Sequence, residues 1–278
     1  MSESFEVNRR AWDERAPVHA ASVDYGFDAF MSDARHLSDV VRFDLPLIGD
    51  IDGLRGVHLQ CHIGTDTLSL ARLGARMTGL DFSPASLAEA RRLAQACHQD
   101  IEYVLSDVDH ALDVLPPGAF DLVYTGIGAL CWLPSIERWA QVVSELLAPG
   151  GRLFIREGHP MLWAIDEAVS VESLIVGYPY FETPEPVVFD EPGTYVATET
   201  ELQHTVSHSW NHGLGEIVTA LLDRGLVITG LVEHRSLPWN PFPEGRMVKG
   251  EDGEWRLVDH PERLPLTYTL QALKPRTQ

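Results

Sequence analysis

The sequence predicts an α/β fold, a doubly wound sheet that is mostly parallel and carries helices on both faces. Residues 56–92 read as strand, glycine turn, helix, strand and helix. The same alternation of short apolar runs with helical periodicity continues over residues 49–157. Such alternation is typical of strands joined by crossover helices, which place the strands parallel to one another.

The first two strands frame a candidate ligand site. A short apolar run is followed by Gly64, which opens a turn, and Thr65 or Asp66 can cap the next helix. Residues 77–80 form the second strand, and Asp81 stands at its carboxyl end. Ligands of open α/β sheets bind at this edge, where a carboxylate can accept hydrogen bonds from both hydroxyls of a ribose.

The later elements follow from the same periodicities. Ser83 is an N-cap followed by a first-turn proline, and a second helix is predicted before Pro149 from apolar residues at helical spacing. Towards the carboxyl terminus the pattern predicts a helix that ends near Gly225, a strand over residues 226–232 and an alternating strand over residues 266–273. These segments complete a sheet protein rather than a helical bundle.

Residues 56–81 resemble the opening motifs of class I S-adenosylmethionine-dependent methyltransferases, in which a glycine loop precedes a ribose-binding acid by about twenty residues. Residues 101–107 and 120–126 resemble the third and fourth strands of that family. Residues 146–155 resemble the helix end, the Pro-Gly-Gly turn and the fifth strand that follow, so the segments occur in the right order. The resemblance implies a seven-stranded, mostly parallel, doubly wound sheet. It also implies an enzyme that uses S-adenosyl-L-methionine to methylate a small molecule on oxygen, nitrogen, sulfur or carbon.

The glycine loop departs from the family's acidic-x-Gly-x-Gly-x-Gly pattern. On that register His58 replaces the acid, Gln60 the first glycine and His62 the second, which leaves only Gly64. A dinucleotide site needs the second glycine so that backbone can approach a pyrophosphate, whereas S-adenosylmethionine carries no phosphate. Two alternatives stay open: a non-catalytic sensor or accessory protein that binds S-adenosylmethionine or S-adenosylhomocysteine, and an NAD-dependent Rossmann oxidoreductase.

The resemblance assigns the cofactor contacts to the glycine loop and to the ends of the second, third and fourth strands. These expected contacts are His62, Gly64, Thr65, Asp81, Phe82, Asp107, Val108, Thr125 and Gly126. The pair after the second strand is expected at the ribose and adenine, and the pair after the third strand at the adenine. The pair after the fourth strand is expected near the methionine end.

Methyl transfer from a sulfonium depends mainly on alignment, because positioning alone can supply about 7 to 11 kcal/mol. If the acceptor must lose a proton, histidine is a suitable base. His159 lies just beyond the fifth strand and is the first catalytic candidate, with a hydrogen bond to the loop backbone as the alternative; His212 is the second, with helix capping as its alternative. The aromatic candidates for an acceptor site, or for simple packing, are Trp132, Trp163, Tyr180 and Trp210.

The histidine spacing does not predict a metal site. His204, His208 and His212 are four residues apart, as metal ligands on one helix face would be. The neighbouring Thr205 and Val206 favour a strand instead. The three cysteines are isolated and are expected to be reduced.

Segments outside the sheet pattern are expected to shape the site. Residues 1–48 are predicted to be a helical segment that either forms a lid over the cofactor or completes the core, and residues 49–278 the methyltransferase domain. Two insertions interrupt that domain after the family's fifth and sixth strands. Residues 158–209 are expected to roof the acceptor pocket with extended segments, and residues 238–265 to contain a hairpin.

Composition narrows the class of partner. The chain has 278 residues, of which 45% are hydrophobic, and a net charge of -20. Nucleic acid is an unlikely substrate because phosphate binding needs clusters of Lys and Arg. No apolar run is long enough to span a bilayer and no signal peptide is recognisable, so the expectation is a cytoplasmic protein without a membrane partner. The oligomeric state cannot be predicted.

Overall fold

The computed structural model describes residues 3–166, 173–242 and 245–276. The strands in these ranges are β1 (Arg55–Leu59), β2 (Arg76–Asp81), β3 (Glu102–Leu105), β4 (Phe120–Thr125), β5 (Leu147–Gly158), β6 (Val187–Asp190), β7 (Val206–Ser209), β8 (Val227–His234), β9 (Met247–Lys249), β10 (Trp255–Leu257) and β11 (Thr267–Leu273). The helices are α1 (Glu3–Ala21), α2 (Phe27–Ser32), α3 (Asp39–Ile48), α4 (Thr65–Arg72), α5 (Pro84–Ala96), α6 (Ala111–Val114), α7 (Ile136–Leu146), α8 (Pro160–Trp163) and α9 (Leu214–Asp223), with a short 3-10 helix at Leu130–Trp132.

The central sheet has seven strands in the order β3-β2-β1-β4-β5-β11-β8. The five strands from β3 to β5 are parallel, and β11 runs antiparallel to both β5 and β8. The predicted seven-stranded, mostly parallel, doubly wound sheet is therefore confirmed. Because β1 lies between β2 and β4, the carboxyl ends of these three strands meet at one edge.

Local sequence signals explain where several helices begin. The Ser83 hydroxyl accepts a hydrogen bond from the amide of Ser86 at 3.0 Å and so caps α5, as its sequence context predicts. Gly64 has φ +80° and precedes α4 directly. An added Cβ at Gly64 would lie 2.6 Å from the Tyr103 hydroxyl and 2.7 Å from the Ala90 Cβ, so both conformation and space require glycine there.

The fifth strand begins earlier than the sequence suggests. We expect a turn at residues 149–151 before the strand, whereas β5 starts at Leu147 and includes these residues. The cause is a non-local pairing: Gly150 donates to the carbonyl of Lys274 at 2.8 Å, and Lys274 donates to the carbonyl of Gly151 at 2.9 Å. The segment after β11 thus extends the ladder beyond the predicted strand.

Apolar side chains cover both faces of the sheet. One cluster packs α7 and α9 against the sheet around Trp139, Val143 and Leu221. The opposite cluster packs α3 and α4 around Val41, Leu70 and other buried residues. These two layers fix the strand ends, and with them the loops at the carboxyl edge.

Both insertions contain the antiparallel pairs that the sequence suggests. In the first, β6 pairs with β7, and β7 packs against α1; in the second, β9 pairs with β10 as the predicted hairpin. The N-terminal helix α1 also packs on α5. The carboxyl edge of the sheet is therefore flanked by α1 and by the first insertion.

Candidate active site

Asp81 lies at the end of β2 and organises the loop that follows β1. One carboxylate oxygen accepts a hydrogen bond from the amide of His62 at 2.8 Å, and the other accepts one from the amide of Ser83 at 2.9 Å. Burial raises the pKa of Asp81 to about 6, against the opposing effect of these amides. Since two carboxylate oxygens offer about four acceptor sites, Asp81 keeps lone pairs for further donors.

The glycine loop keeps its backbone shape without its glycines. Gln60 and His62 have φ values of 57° and 48°, and Gly64 has 80°. These three left-handed residues stand two apart, at the positions of the three glycines in the family's pattern. Side-chain contacts accompany the strained residues: Gln60 Nε2 donates to the carbonyl of Ala129 at 2.9 Å, and His62 Nδ1 lies 3.1 Å from the Ser86 hydroxyl.

A cavity of about 240 Å³ opens beside this loop at the carboxyl edge. Its sheet side is formed by Gln60 of the loop, Phe82 after β2, and Asp107 and Val108 after β3. Its other walls come from the first turns of α1 and from Trp132 and Trp210. The cavity therefore joins residues from the ends of successive strands with the N-terminal helix, as a cofactor site on such a sheet requires.

The part of the cavity beyond β3 contains two of the residues expected at the adenine. Val108 is buried, and Asp107 is held in place by His110, whose amide donates to it at 2.8 Å and whose Nδ1 lies 2.7 Å from the same oxygen. This carboxylate raises the pKa of His110. Phe82 completes the wall and contacts Phe5 of α1 edge to face, with ring centroids 5.4 Å apart.

The residues expected near the methionine end lie at the boundary of β1 and β4. Thr125 is fully buried, and its hydroxyl has no hydrogen-bond partner within the described residues. Thr65 directly follows Gly64, in the first turn of α4, and is buried. Its carbonyl accepts a hydrogen bond from the Ser69 hydroxyl at 2.8 Å. Gly126 follows β4 directly, so it stands beside the loop after β1.

Glu157 fixes the loop that carries Trp132. A glutamate at a strand end is commonly solvated, but Glu157 is only 2% exposed. Its carboxylate accepts hydrogen bonds from the amides of Gly128, Ala129 and Leu130 at 2.6, 2.8 and 2.9 Å. Bonds of this charge-assisted kind are strong, so the far wall of the cavity is rigidly placed.

The N-terminal helix is bound along its length to the first insertion. Asn8 exchanges two hydrogen bonds of 2.8 Å with the backbone of His208. The Glu14 carboxylate accepts the amides of Gln203 and His204 at 2.8 and 2.7 Å. Arg15, which is buried, donates to the carbonyl of His204 at 3.0 Å. Because α1 also walls the cavity, helix and insertion form one cover over it.

The sequence-based predictions do not include a contact between this cover and the glycine loop. His19 Nδ1 lies 2.9 Å from His62 Nε2, and His19 Nε2 lies 2.7 Å from the Thr194 hydroxyl. Burial lowers the pKa of His19 to about 3, which makes the ring neutral. The hydroxyls of Tyr25 and Tyr195 are hydrogen-bonded to each other beside it.

A signal for this contact exists in the sequence. Asn8, Trp12, Arg15 and His19 are spaced by four, three and four residues, so they share one face of α1. Polar residues on such a face indicate hydrogen bonding to a covering layer rather than packing in a core. Their partners in the first insertion lie about 175 to 200 residues away in the chain, and His62 lies 43 residues from His19. No local pattern identifies these partners.

The structure brings His159 to the expected strand end, where its ring nitrogens already have neighbours. Nδ1 accepts a hydrogen bond from the amide of Met161 at 3.0 Å and so caps α8, and Nε2 lies 2.9 Å from a carboxylate oxygen of Glu233. Burial lowers the pKa of His159, and Glu233 opposes this shift. With Nδ1 accepting, the neutral ring carries its proton on Nε2. A base role for His159 stays a prediction that requires release of the Met161 amide.

His212 is also buried, and acceptors surround both of its nitrogens. Nδ1 lies 2.8 Å from the Glu182 carboxylate, and Nε2 lies 3.1 and 2.9 Å from the carbonyls of Leu130 and Leu133. The hydrogen bond from His212 lowers the pKa of Glu182. These contacts join the first insertion to the loop after β4, and a catalytic role for His212 likewise stays a prediction.

The four aromatic candidates do not form one cluster. Trp132 and Trp210 line the cavity, whereas Trp163 stacks on Trp239 at 5.9 Å in the layer between the two insertions. The hydroxyl of Tyr180 accepts the amide of Leu214 at 3.2 Å and so supports the start of α9. Of these four residues, only Trp132 and Trp210 line this cavity.

The comparisons with known proteins agree with this geometry. A model of the methyltransferase domain family matches residues 57–153, which contain the glycine loop and the strand-end acids. A ubiquinone biosynthesis O-methyltransferase of Xanthomonas euvesicatoria pv. vesicatoria is 31% identical over 106 residues, 38% of this chain and 44% of that protein. Residues 57–153 are therefore similar to a methyltransferase domain. The match spans less than half of that relative's length.

Solved structures support the same fold over nearly the whole chain. An S-adenosylmethionine-dependent methyltransferase from Mesorhizobium loti superimposes with a TM-score of 0.59 at 23% identity. The superposition covers 89% of this chain and 100% of that protein's chain. A geranyl diphosphate C-methyltransferase from Streptomyces coelicolor, solved with S-adenosyl-L-homocysteine, gives a TM-score of 0.60 at 14% identity and covers 98% of both chains. At these identities the likeness concerns the fold.

Two further observations concern only the described ranges. Among residues 3–166, 173–242 and 245–276, no helix has both the length and the apolar character needed to cross a bilayer. Within the same ranges, no three His, Cys, Asp or Glu side chains are grouped as metal ligands would be. His204 instead contacts Glu14, and His208 contacts the hydroxyl of Ser4 at 2.8 Å.

Proposed function

We propose that the protein is an enzyme that transfers a methyl group from S-adenosyl-L-methionine to a small molecule. One observation carries the proposal: a cavity at the carboxyl edge is lined by the residues after β2 and β3 and covered by α1. In this sheet topology that edge is the ligand site. The methyltransferase domain match over residues 57–153 supports the same assignment.

The residues present fit the cofactor. Asp81 keeps acceptor sites for the two ribose hydroxyls while its amide bonds hold the loop. Asp107, Phe82 and Val108 would hold the adenine in the cavity. We assign the methionine part to the boundary of β1 and β4, near Gly126 and the loop residues His62, Gly64 and Thr65. Thr125, with its buried hydroxyl, belongs to this boundary.

The cofactor supplies an activated methyl group on a sulfonium, so the protein's task is chiefly to align the acceptor and exclude water. The cover formed by α1 and the first insertion suits this task. Within this cover, Asn8, Glu14 and Arg15 of α1 form hydrogen bonds with the backbone of the insertion. Opening for ligand exchange requires either that these bonds break or that the cover moves as one unit.

For the acceptor, we propose an uncharged or cationic aromatic molecule with an oxygen nucleophile as the first class to test. The net charge of -20 disfavours anions, and Trp132 and Trp210 offer flat apolar surfaces in the cavity. The Xanthomonas relative is an O-methyltransferase, whereas the Streptomyces neighbour is a C-methyltransferase. The nucleophile is therefore a matter for direct assay, with nitrogen, sulfur and carbon acceptors included.

The proposal is tested first by ligand-induced stabilisation. S-adenosylmethionine or S-adenosylhomocysteine at about 100 times its Kd should stabilise the fold by about 2.7 kcal/mol and raise Tm by roughly 5 °C. NAD should leave Tm unchanged; stabilisation by NAD alone would contradict the proposal. Methyl transfer to a panel of phenols, amines and thiols, followed by mass spectrometry, then separates an enzyme from a sensor, which would bind the cofactor and methylate nothing.

A further inference from the structure

Two polar atoms converge on Gly126 at the boundary of β1 and β4. A Cβ placed on Gly126 would lie 3.3 Å from Asp66 Oδ2 and 3.3 Å from His58 Nε2. Any side chain at this position would therefore press on both atoms. Because Gly126 has no side chain, a small space remains between Gly126, Asp66 Oδ2 and His58 Nε2, at the end of β4 and beside the glycine loop. We call this space the polar cradle.

His58 occupies the strand position at which the family's pattern has an acid. It is 2% exposed, and its Nδ1 lies 2.9 Å from the Thr67 hydroxyl. Its Nε2 has no hydrogen-bond partner within the described residues. Burial lowers the pKa of His58 to about 3, so the ring is neutral. The loop has thus lost the negative charge of the pattern's acid at this place.

Asp66 brings a carboxylate to the same place from a different element. It lies in the first turn of α4, is half-buried, and receives a hydrogen bond from the Ser38 side chain. Burial raises its pKa to about 6, while Arg156 opposes this effect and Asp39 adds to it. Arg156 is already paired with Glu254 at 2.7 Å. A ligand cation would therefore find Asp66 as an available partner.

The cofactor's own chemistry calls for such a partner. If the adenine and ribose lie over the ends of β3 and β2, the amino-acid part reaches β4, which is two strand spacings or about 10 Å from β2. This part carries an ammonium group, and a buried ammonium needs an anionic or strongly polar acceptor. Asp66 Oδ2 lies beside Gly126, the residue that directly follows β4.

Building on the proposed cofactor site, we propose that Asp66 binds the ammonium group of the cofactor's amino-acid part. This carboxylate comes from the first turn of α4 and not from the end of β1. His58, which stands at the position of the pattern's acid, places a neutral ring beside the same cradle. Gly126 keeps the cradle open.

The test compares two ligands that differ only at the amino-acid end. S-adenosylhomocysteine carries the ammonium group, whereas 5′-methylthioadenosine lacks the whole amino-acid part. We expect Asp66→Asn to weaken S-adenosylhomocysteine binding about tenfold or more by calorimetry, because a neutral amide oxygen replaces the carboxylate as acceptor and the charge assistance is lost. Binding of 5′-methylthioadenosine should stay within about twofold, since this ligand does not reach Asp66. The exposed Asp39→Asn, which removes a neighbouring charge, should leave both affinities within about twofold.

The outcomes separate this inference from the proposed function. If Asp66→Asn binds S-adenosylhomocysteine as tightly as the wild type, or loses both ligands equally, Asp66 is not the ammonium partner. If the wild type binds neither ligand, the proposed cofactor site itself fails. Folding is checked by Tm, which should not fall in Asp66→Asn, because burial raises the pKa of Asp66 and its charged form therefore does not stabilise the free protein.

Discussion

Replacing Asp81 by alanine tests the cofactor site most directly. Its two oxygens each accept one backbone amide and keep acceptor sites for the ribose. A charge-assisted hydrogen bond is worth roughly 1.5 to 3 kcal/mol. Loss of one such bond weakens binding about tenfold, and loss of two at the lower figure about 150-fold. We therefore expect the Kd for S-adenosylhomocysteine, measured by calorimetry, to rise by a factor between these limits.

Two comparisons protect this reasoning. Asp100→Ala removes an exposed aspartate outside the cavity and should leave the Kd unchanged. Because Asp81 also holds the amide of His62, thermal unfolding must show that the variant is folded, and Asp81→Asn, with nearly the same shape, provides a second reading. A folded Asp81→Ala protein with wild-type affinity would refute the ribose assignment.

Three other predictions follow from the structure. Affinity for S-adenosylhomocysteine should fall about fivefold between pH 6 and pH 5 if Asp81 binds the ribose as a carboxylate, because burial raises its pKa to about 6 and protonation competes with binding. A flat pH profile would contradict this. Glu254→Ala leaves Arg156 buried without its ion pair and should lower the free energy of unfolding by about 3 kcal/mol or more. The control Glu251→Ala, at an exposed residue, should change the free energy of unfolding by less than about 0.5 kcal/mol. Equal effects of the two variants in denaturant titrations would argue against a stabilising ion pair. If His159 is a base, His159→Ala and His159→Asn should both slow methyl transfer about a hundredfold at unchanged cofactor affinity. Asparagine can still cap α8, so normal turnover in His159→Asn would show that His159 acts only as a helix cap.

The parts of the fold that the sequence predicts are those set by local periodicity. The order of strands and helices between Gly56 and Ile155 follows from apolar spacing, caps and glycine turns, and the structure confirms it. The hairpin around Gly253 is confirmed for the same reason, because a turn between alternating apolar residues specifies its own pairing. The early start of β5 is not predicted, because it depends on non-local pairing of Leu147 with Phe120 and of Gly150 and Gly151 with Lys274.

The candidate site divides along the same line. The position of Asp81 follows from the end of a strand, which a sequence shows. The sequence does not show the environment of His159, because Glu233 reaches its ring from a different strand and the carbonyl of Leu266 accepts a hydrogen bond from its amide. His212 is similar, since its partner Glu182 lies 30 residues away within an insertion. Ring contacts of this kind depend on tertiary packing, and sequence alone leaves capping and catalysis equally open.

The glycine loop shows how a motif can be lost in sequence and kept in structure. A left-handed conformation costs a non-glycine residue roughly 1 to 2 kcal/mol, so Gln60 and His62 need compensating contacts. His62 has three: its amide to Asp81, and its ring to Ser86 and to His19 of α1. A glycine could make only the first of these. The substitution therefore converts a loop held by its own backbone into one whose shape depends on the cover above it. The glycine loop and the N-terminal helix are thus coupled, and movement of α1 away from the loop would break the contact of His62 with His19 that helps to hold the left-handed backbone of the loop.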